Sequence, residues 1–244
     1  LFLGRKGAVR CSRQALIFAL MRNLAILGLV CALLHGVQVL GQAPDNGDLR
    51  DFYLPAKLPA RMVFDLDSGN TSQIWTLRLE GNFLVTERVD TRQRMLEYQR
   101  ELLSDRGAFV ESYATYTRDS SGKSTPLFAE IGSPDMFYWN WPIGQKAVFS
   151  YLEPRRMDER MGSIRVERER LVLPDVDSVL FGGQKVAVRF VNDLVRLSFL
   201  DRSGEPIGED TYLEFRRYGQ GLGLIGFTRQ FSDGKTLNGR RQQD

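Results

Sequence analysis

The sequence is short of the side chains by which catalysis is most often recognised. It holds one histidine and two cysteines, and all three (Cys11, Cys31 and His35) lie ahead of a processing signal near residue 43. Once that leader is removed, neither residue type remains. The mature part is thereby excluded from disulfide formation, from Ser-His-Asp and Cys-His catalysis, and from zinc sites that need Cys or His ligands. Lysine is scarce too: after residue 43 only Lys57, Lys123, Lys146, Lys185 and Lys235 occur, and the other basic residues are arginine. No Gly/Ser or Pro linker divides residues 50–240, so one β-rich domain over 44–244 is expected. No cofactor or metal motif survives inspection.

The leader has the parts of a secretory signal peptide. Met21-Arg22-Asn23 opens it, residues 24–34 are apolar, and a more polar stretch runs to Ala43. Val39 and Gly41 suit cleavage before Gln42, and Gly41 with Ala43 suits cleavage before Pro44. The apolar core is shorter than the roughly 18–20 residues that span a bilayer, and Arg22-Asn23 separates it from the apolar run 15–21. A cleaved signal is therefore expected, with an uncleaved anchor as the competing reading. Leu29-Val30 ahead of Cys31 lacks the small residue a lipoprotein signal needs. Residues 1–20 are read as upstream of a start at Met21. The expected location is periplasmic or secreted, touching a membrane only through the leader if that is retained.

Charge follows the same division. Residues 1–43 carry five of the 33 basic residues and no acid, leaving 28 bases against 30 acids in the mature part. The basic balance belongs to the leader, and nucleic acid is not an expected partner.

The mature part reads as strands and turns. Residues 74–79 and 83–89 alternate around Gly81-Asn82, a hairpin signature. Residues 62–66 and 109–118 form further strands, followed by 146–152, 163–173, 185–191, 194–200, 211–217 and 224–231. Short spacing without a βαβ rhythm predicts an antiparallel sheet. Residues 91–103 are the exception. Met95, Tyr98 and Leu102 fall at helical spacing among good helix formers, which predicts one covering helix, with a long twisted strand as the alternative.

Several motifs are weaker than they look. Gly221-Leu222-Gly223-Leu224-Ile225-Gly226 matches the dinucleotide-binding string, but a strand follows it where a helix is required. Close backbone packing or a bulge is the expected use. Ser120-Ser121-Gly122-Lys123 sits in a turn, without the helix that would aim its lysine at the serine. Asp65-Leu66-Asp67-Ser68-Gly69 lacks the later ligands of a calcium loop. Glu167 and Glu169 share a strand face, but Arg165, Arg168 and Arg170 surround them, and a solvated strand is expected. Asp175 and Asp177 read as loop acids. No carboxylate stands in an apolar setting that would raise its pKa.

The richest segment is Asp135-Met136-Phe137-Tyr138-Trp139-Asn140-Trp141-Pro142. Apolar groups on both faces make it a central core element. Alternatively, Phe137, Tyr138, Trp139 and Trp141 line a pocket for a lipid or other apolar ligand.

Two stretches carry a family resemblance. Trp141-Pro142-Ile143-Gly144-Gln145-Lys146-Ala147-Val148-Phe149 resembles the opening of a strand in bacterial exported β-sheet proteins of unknown function. Tyr218-Gly219-Gln220-Gly221-Leu222-Gly223-Leu224-Ile225 is similar to their closing signature. That group resembles the half-barrel of the periplasmic lipoprotein carriers LolA and LolB. The resemblance implies a mainly β fold, a curved antiparallel sheet or half-barrel around an apolar cavity, and an envelope location. It transfers no catalytic residue.

The leading expectation is a non-enzymatic envelope protein that binds a hydrophobic or amphipathic ligand in the concavity. A carboxylate-dependent hydrolase acting on glycans and a structural module with an envelope protein partner are the alternatives. A lipid-facing outer-membrane barrel is disfavoured by the number of charged strand positions.

Overall fold

The computed structural model describes residues 48–67, 71–118, 122–142, 144–154 and 162–243. The expected leader lies outside these residues. So do most of the turns at 67–70 and 119–122, and the side chain of Asp175.

Alternation dictates the architecture. Among the described residues, thirteen strands form one antiparallel sheet: β1 (Ala60–Leu66), β2 (Thr71–Glu80), β3 (Phe83–Asp90), β4 (Met95–Leu103), β5 (Gly107–Arg118), β6 (Ser124–Phe128), β7 (Glu130–Tyr138), β8 (Lys146–Pro154), β9 (Ser163–Phe181), β10 (Gln184–Leu200), β11 (Pro206–Gly219), β12 (Gly223–Phe231) and β13 (Thr236–Arg241). The first strand pairs with the last (Phe64 opposite Arg241), and β4 pairs with β5. These two seams close a ring of twelve strands. β6 stands outside the ring, on the far end of β5, whose near end pairs with β7.

Two expectations are corrected here. The sheet is a closed barrel and not a half-barrel, because the β1–β13 and β4–β5 seams pair the edges that a half-barrel leaves open. The helix expected over 91–103 is strand β4. Helix propensity is a weak preference. In β4 both backbone edges find partners, in β3 and β5, and alternate residues Glu97, Gln99 and Glu101 turn to one lumenal face.

The long strands also absorb segments that sequence reading divided. β10 runs unbroken through Asn192-Asp193, and β9 continues past Pro174, so Asp177 lies in a strand and not in a loop. A tight turn at Gly182-Gly183, both with positive φ (58° and 77°), joins β9 to β10.

Helix among the described residues is confined to α1 (Arg50–Tyr53), one turn long. It plugs the barrel end where the β4–β5, β7–β8 and β11–β12 connections lie. Leu49 N–H donates to the Trp139 carbonyl at 3.0 Å, and Ala56 N–H donates to Gly221 O at 2.8 Å. Leu49 and Phe52 are buried in the same core cluster as Phe137, Trp139 and Trp141. The glycine-rich string is thus a docking surface for the plug. Gly221 and Gly223 have φ near +71°, and a Cβ on Gly223 would meet Pro55 at 3.2 Å. Gly221 N–H donates to the Asp51 carbonyl, and a register shift marks a bulge at Arg217/Tyr218 opposite. Close backbone approach is the role expected from the sequence.

Candidate functional site

Below the plug, the barrel encloses a cavity of about 180 Å³, room for on the order of ten waters or one small molecule. Aromatic side chains line it: Trp75 from β2, Tyr113 from β5, Phe149 and Tyr151 from β8, and Tyr212 and Tyr218 from β11. Charged side chains stand among them, Arg88, Arg168, Arg216 and Arg229 with Glu97 and Glu101; the Arg88 guanidinium lies over the Trp75 ring, that of Arg229 over Tyr212, and Phe149 is directly opposite Arg168.

The charged cluster is built by register. Arg170, Asp193, Glu214 and Arg229 stand directly opposite one another in sequence across β9, β10, β11 and β12. Asp193 and Glu214 are therefore cross-strand neighbours of like charge, which repel unless cations intervene. Arg168 supplies one, with Nη1 2.7 Å from Asp193 Oδ2 and 3.1 Å from Glu214 Oε1. Arg170 grips Asp193 with Nε at 2.7 Å and Nη2 at 2.9 Å. Arg216 and Arg229 each donate through Nε to Glu214. Burial opposes the charge on both carboxylates, but the guanidiniums override it. Arg170, Arg168 and Arg216 hold Asp193 down at about 2. Arg216, Arg229 and Arg168 hold Glu214 well below its ordinary value.

Glu101 is different. It is 1% exposed and accepts the Tyr53 hydroxyl from the plug at 2.8 Å and 2.9 Å, together with the Gln99 amide. Burial dominates and pushes its pKa up to about 7, against the lowering pull of Tyr53, Gln99, Arg170 and Arg216. The Tyr53 hydroxyl is itself raised well above its ordinary value, by burial and then by the nearby Glu101.

The wall also holds two N–H donors with no acceptor among the described residues, Trp75 Nε1 and Arg88 Nε. They belong to directly opposed residues of β2 and β3. Arg88 pairs with Glu97 through Nη2.

The aromatic residues singled out from sequence lie elsewhere. Phe137, Trp139 and Trp141 are buried to 2% exposure or less and pack on the plug. Tyr53 stacks on Phe137 at 4.6 Å between ring centroids. Trp139 Nε1 donates to the Ser104 carbonyl and Trp141 Nε1 to the Gln145 carbonyl, both at 2.8 Å. Tyr138, on the opposite strand face, meets Phe109 edge-on. The residue of this segment that reaches the cavity is Met136.

Of the acids considered, Glu167 and Glu169 face outward and pair with Arg196 and Lys146, and Asp177 is exposed. They share no cleft. The solvated-strand reading of 165–170 holds for that face alone. The other face turns Arg168 and Arg170 inward, because Asp193 and Glu214 wait there. Glu101 likewise corrects the expectation that no carboxylate would have a raised pKa. The signal available was a charged residue amid inward apolar ones on successive strands: Val166-x-Arg168-x-Arg170-x-Val172, Val191-x-Asp193-x-Val195 and Tyr212-x-Glu214-x-Arg216-x-Tyr218.

No protein-family model matches the chain, and no curated protein matches it. Among solved structures, the crystal structure of a "putative lipoprotein" from Parabacteroides distasonis ATCC 8503 is similar over 79% of this chain and 97% of that one. The TM-score is 0.45 and the sequence identity 7%. A superposition this loose carries no weight for fold or function.

Proposed function

We propose that this protein is a non-enzymatic, exported envelope protein that holds one small amphipathic molecule inside its barrel. The observation that carries the reading is the cavity itself, lined by aromatic and arginine side chains together, beneath a plug with its own hydrogen bonds to the rim. Ligand pockets of this kind combine apolar walls with a few placed polar groups. Export is supported by the signal-peptide pattern of residues 21–43. The outward ion pairs Arg78–Glu87, Arg100–Glu111 and Arg196–Glu167 do not suit a lipid-facing wall.

A glycan hydrolase is not favoured by the geometry. Of the two lumenal acids, Glu97 is paired with Arg88, and Glu101 accepts from Tyr53 and Gln99, so each carboxylate is already engaged where a glycosidase needs a free acid–base pair. Asp193 and Glu214 are each held by several guanidiniums.

The test is native mass spectrometry of gently purified protein, with titration of an environment-sensitive apolar fluorophore. A co-purifying small molecule, or a fluorophore competed off by amphiphiles, is the expected result. Absence of both a bound species and saturable fluorophore binding would overturn the reading.

A further inference from the structure

The buried cluster on β9–β12 carries more positive charge than its acids neutralise. Arg168, Arg170, Arg216 and Arg229 face two carboxylates, Asp193 and Glu214. Arg88 is already matched by Glu97 on the neighbouring wall. Two further buried acids are engaged elsewhere: the oxygens of Glu101 accept from Tyr53 and Gln99, and Glu153 accepts from Thr115. Burying surplus charge is costly unless a counter-charge accompanies it. Three of the four guanidiniums line the cavity. Arg229 donates its Nε to Glu214, and its guanidinium lies over the Tyr212 and Phe227 rings. Its side chain is 25% exposed and that of Arg216 15%. Aromatic side chains line the same cavity, with Phe149 directly opposite Arg168 in register and the Arg229 guanidinium over the Tyr212 ring.

We infer that the cavity selects an acid-headed amphiphile, with its carboxylate or phosphate oxygens on Arg229, Arg216 and Arg168 and its apolar body against Trp75, Tyr113 and Phe149. This deepens the binding function above and rests on it. Carboxylate and phosphate share the chemistry that guanidinium forks recognise. The partial neutrality of Glu101 near pH 7 acts in the same direction, by leaving the cluster's surplus uncancelled.

Isothermal titration of the whole protein with decanoate, decyl phosphate, decanol and inorganic phosphate tests the assignment. Decanoate or decyl phosphate should bind at least tenfold tighter than decanol, and inorganic phosphate should bind weakly or not at all. The preference between the two acids names the head group. Arg229→Gln should lower acid affinity at least tenfold and leave decanol unchanged. Because that substitution removes a partner of Glu214, Arg229→Lys serves as the charge-retaining variant and should keep most of the acid preference. Decanol equal to or tighter than both acids overturns the anion inference and leaves the binding function standing. Inorganic phosphate as tight as decyl phosphate shows a bare anion site and overturns the amphiphile. No binding by any of the four overturns both.

Discussion

Glu101 and Asp193 are carboxylates in the same barrel, and their surroundings drive them in opposite directions. Glu101 has ordinary behaviour near 4.5 when unfolded and about 7 when folded, so the unfolded chain releases its proton first as pH rises. Its contribution is therefore most favourable at low pH and is lost between about 4.5 and 7. The groups facing it are Tyr53 from the plug, Gln99 on its own strand, Arg170 from β9 and Arg216 from β11. Glu101→Gln keeps an acceptor for Tyr53 without the titration. It should match the parent below pH 4.5 and exceed it by up to about 3 kcal/mol above pH 7, read from urea midpoints across pH. Asp193 behaves oppositely: its folded value near 2 lies below its ordinary 3.8, so its stabilisation is present above 3.8 and lost as pH falls toward 2. Asp193→Asn leaves Arg170 without its carboxylate in the interior and Arg168 with Glu214 alone, and should cost roughly 3–5 kcal/mol at neutral pH. A loss under 1 kcal/mol by the same measurement would contradict the cluster as described.

At the scale of elements, the plug and the glycines around it form one unit. A Cβ on Gly107 would lie 2.1 Å from the Phe137 carbonyl oxygen, where backbone cannot yield. Gly107→Ala should lower stability by about 1–3 kcal/mol through forced displacement of β7. Phe52 is 8% exposed in the core, and its truncation to alanine should cost about 3–5 kcal/mol if the plug shares the barrel's cooperativity. Hydrogen exchange distinguishes the outcomes. If the Leu49 and Tyr53 amides exchange fast while the barrel stays protected, the plug opens on its own. Element type was readable from sequence where alternation was strong, as in β2 and β3. It was misread in β4, where Met95, Tyr98 and Leu102 imitate a helical stripe. Their spacing was real, but the inward polar row Glu97, Gln99 and Glu101 acquires meaning only beside Arg88 and Tyr53, which other elements supply.

For the whole molecule, closure is the decisive event. β13 fills the gap between β1 and β12, and Gln242 N–H adds a further bond to the Val63 carbonyl at 2.8 Å. A chain ending after Phe231 would expose two long unpaired edges around an open, charged lumen. Such a truncation should lose its near-ultraviolet circular dichroism and elute as oligomer or aggregate. A monomer with an intact aromatic signal would show that the seam is dispensable.

The sequence by itself determined the β class, several of the hairpins and the lack of histidine and cysteine in residues 44–244. Each of these depends on composition or on the two-residue period of a strand, which is local. Ring closure, the ion cluster and the cavity were decided only by tertiary structure. Arg170, Asp193, Glu214 and Arg229 lie tens of residues apart in part, and nothing near any of them in the chain names its partners. Register across four strands brings them together, and register is a property of the whole sheet. Histidine and cysteine are confined to residues 1–43, and of the arginines expected on a solvated strand at 165–170, Arg168 and Arg170 turn to the interior.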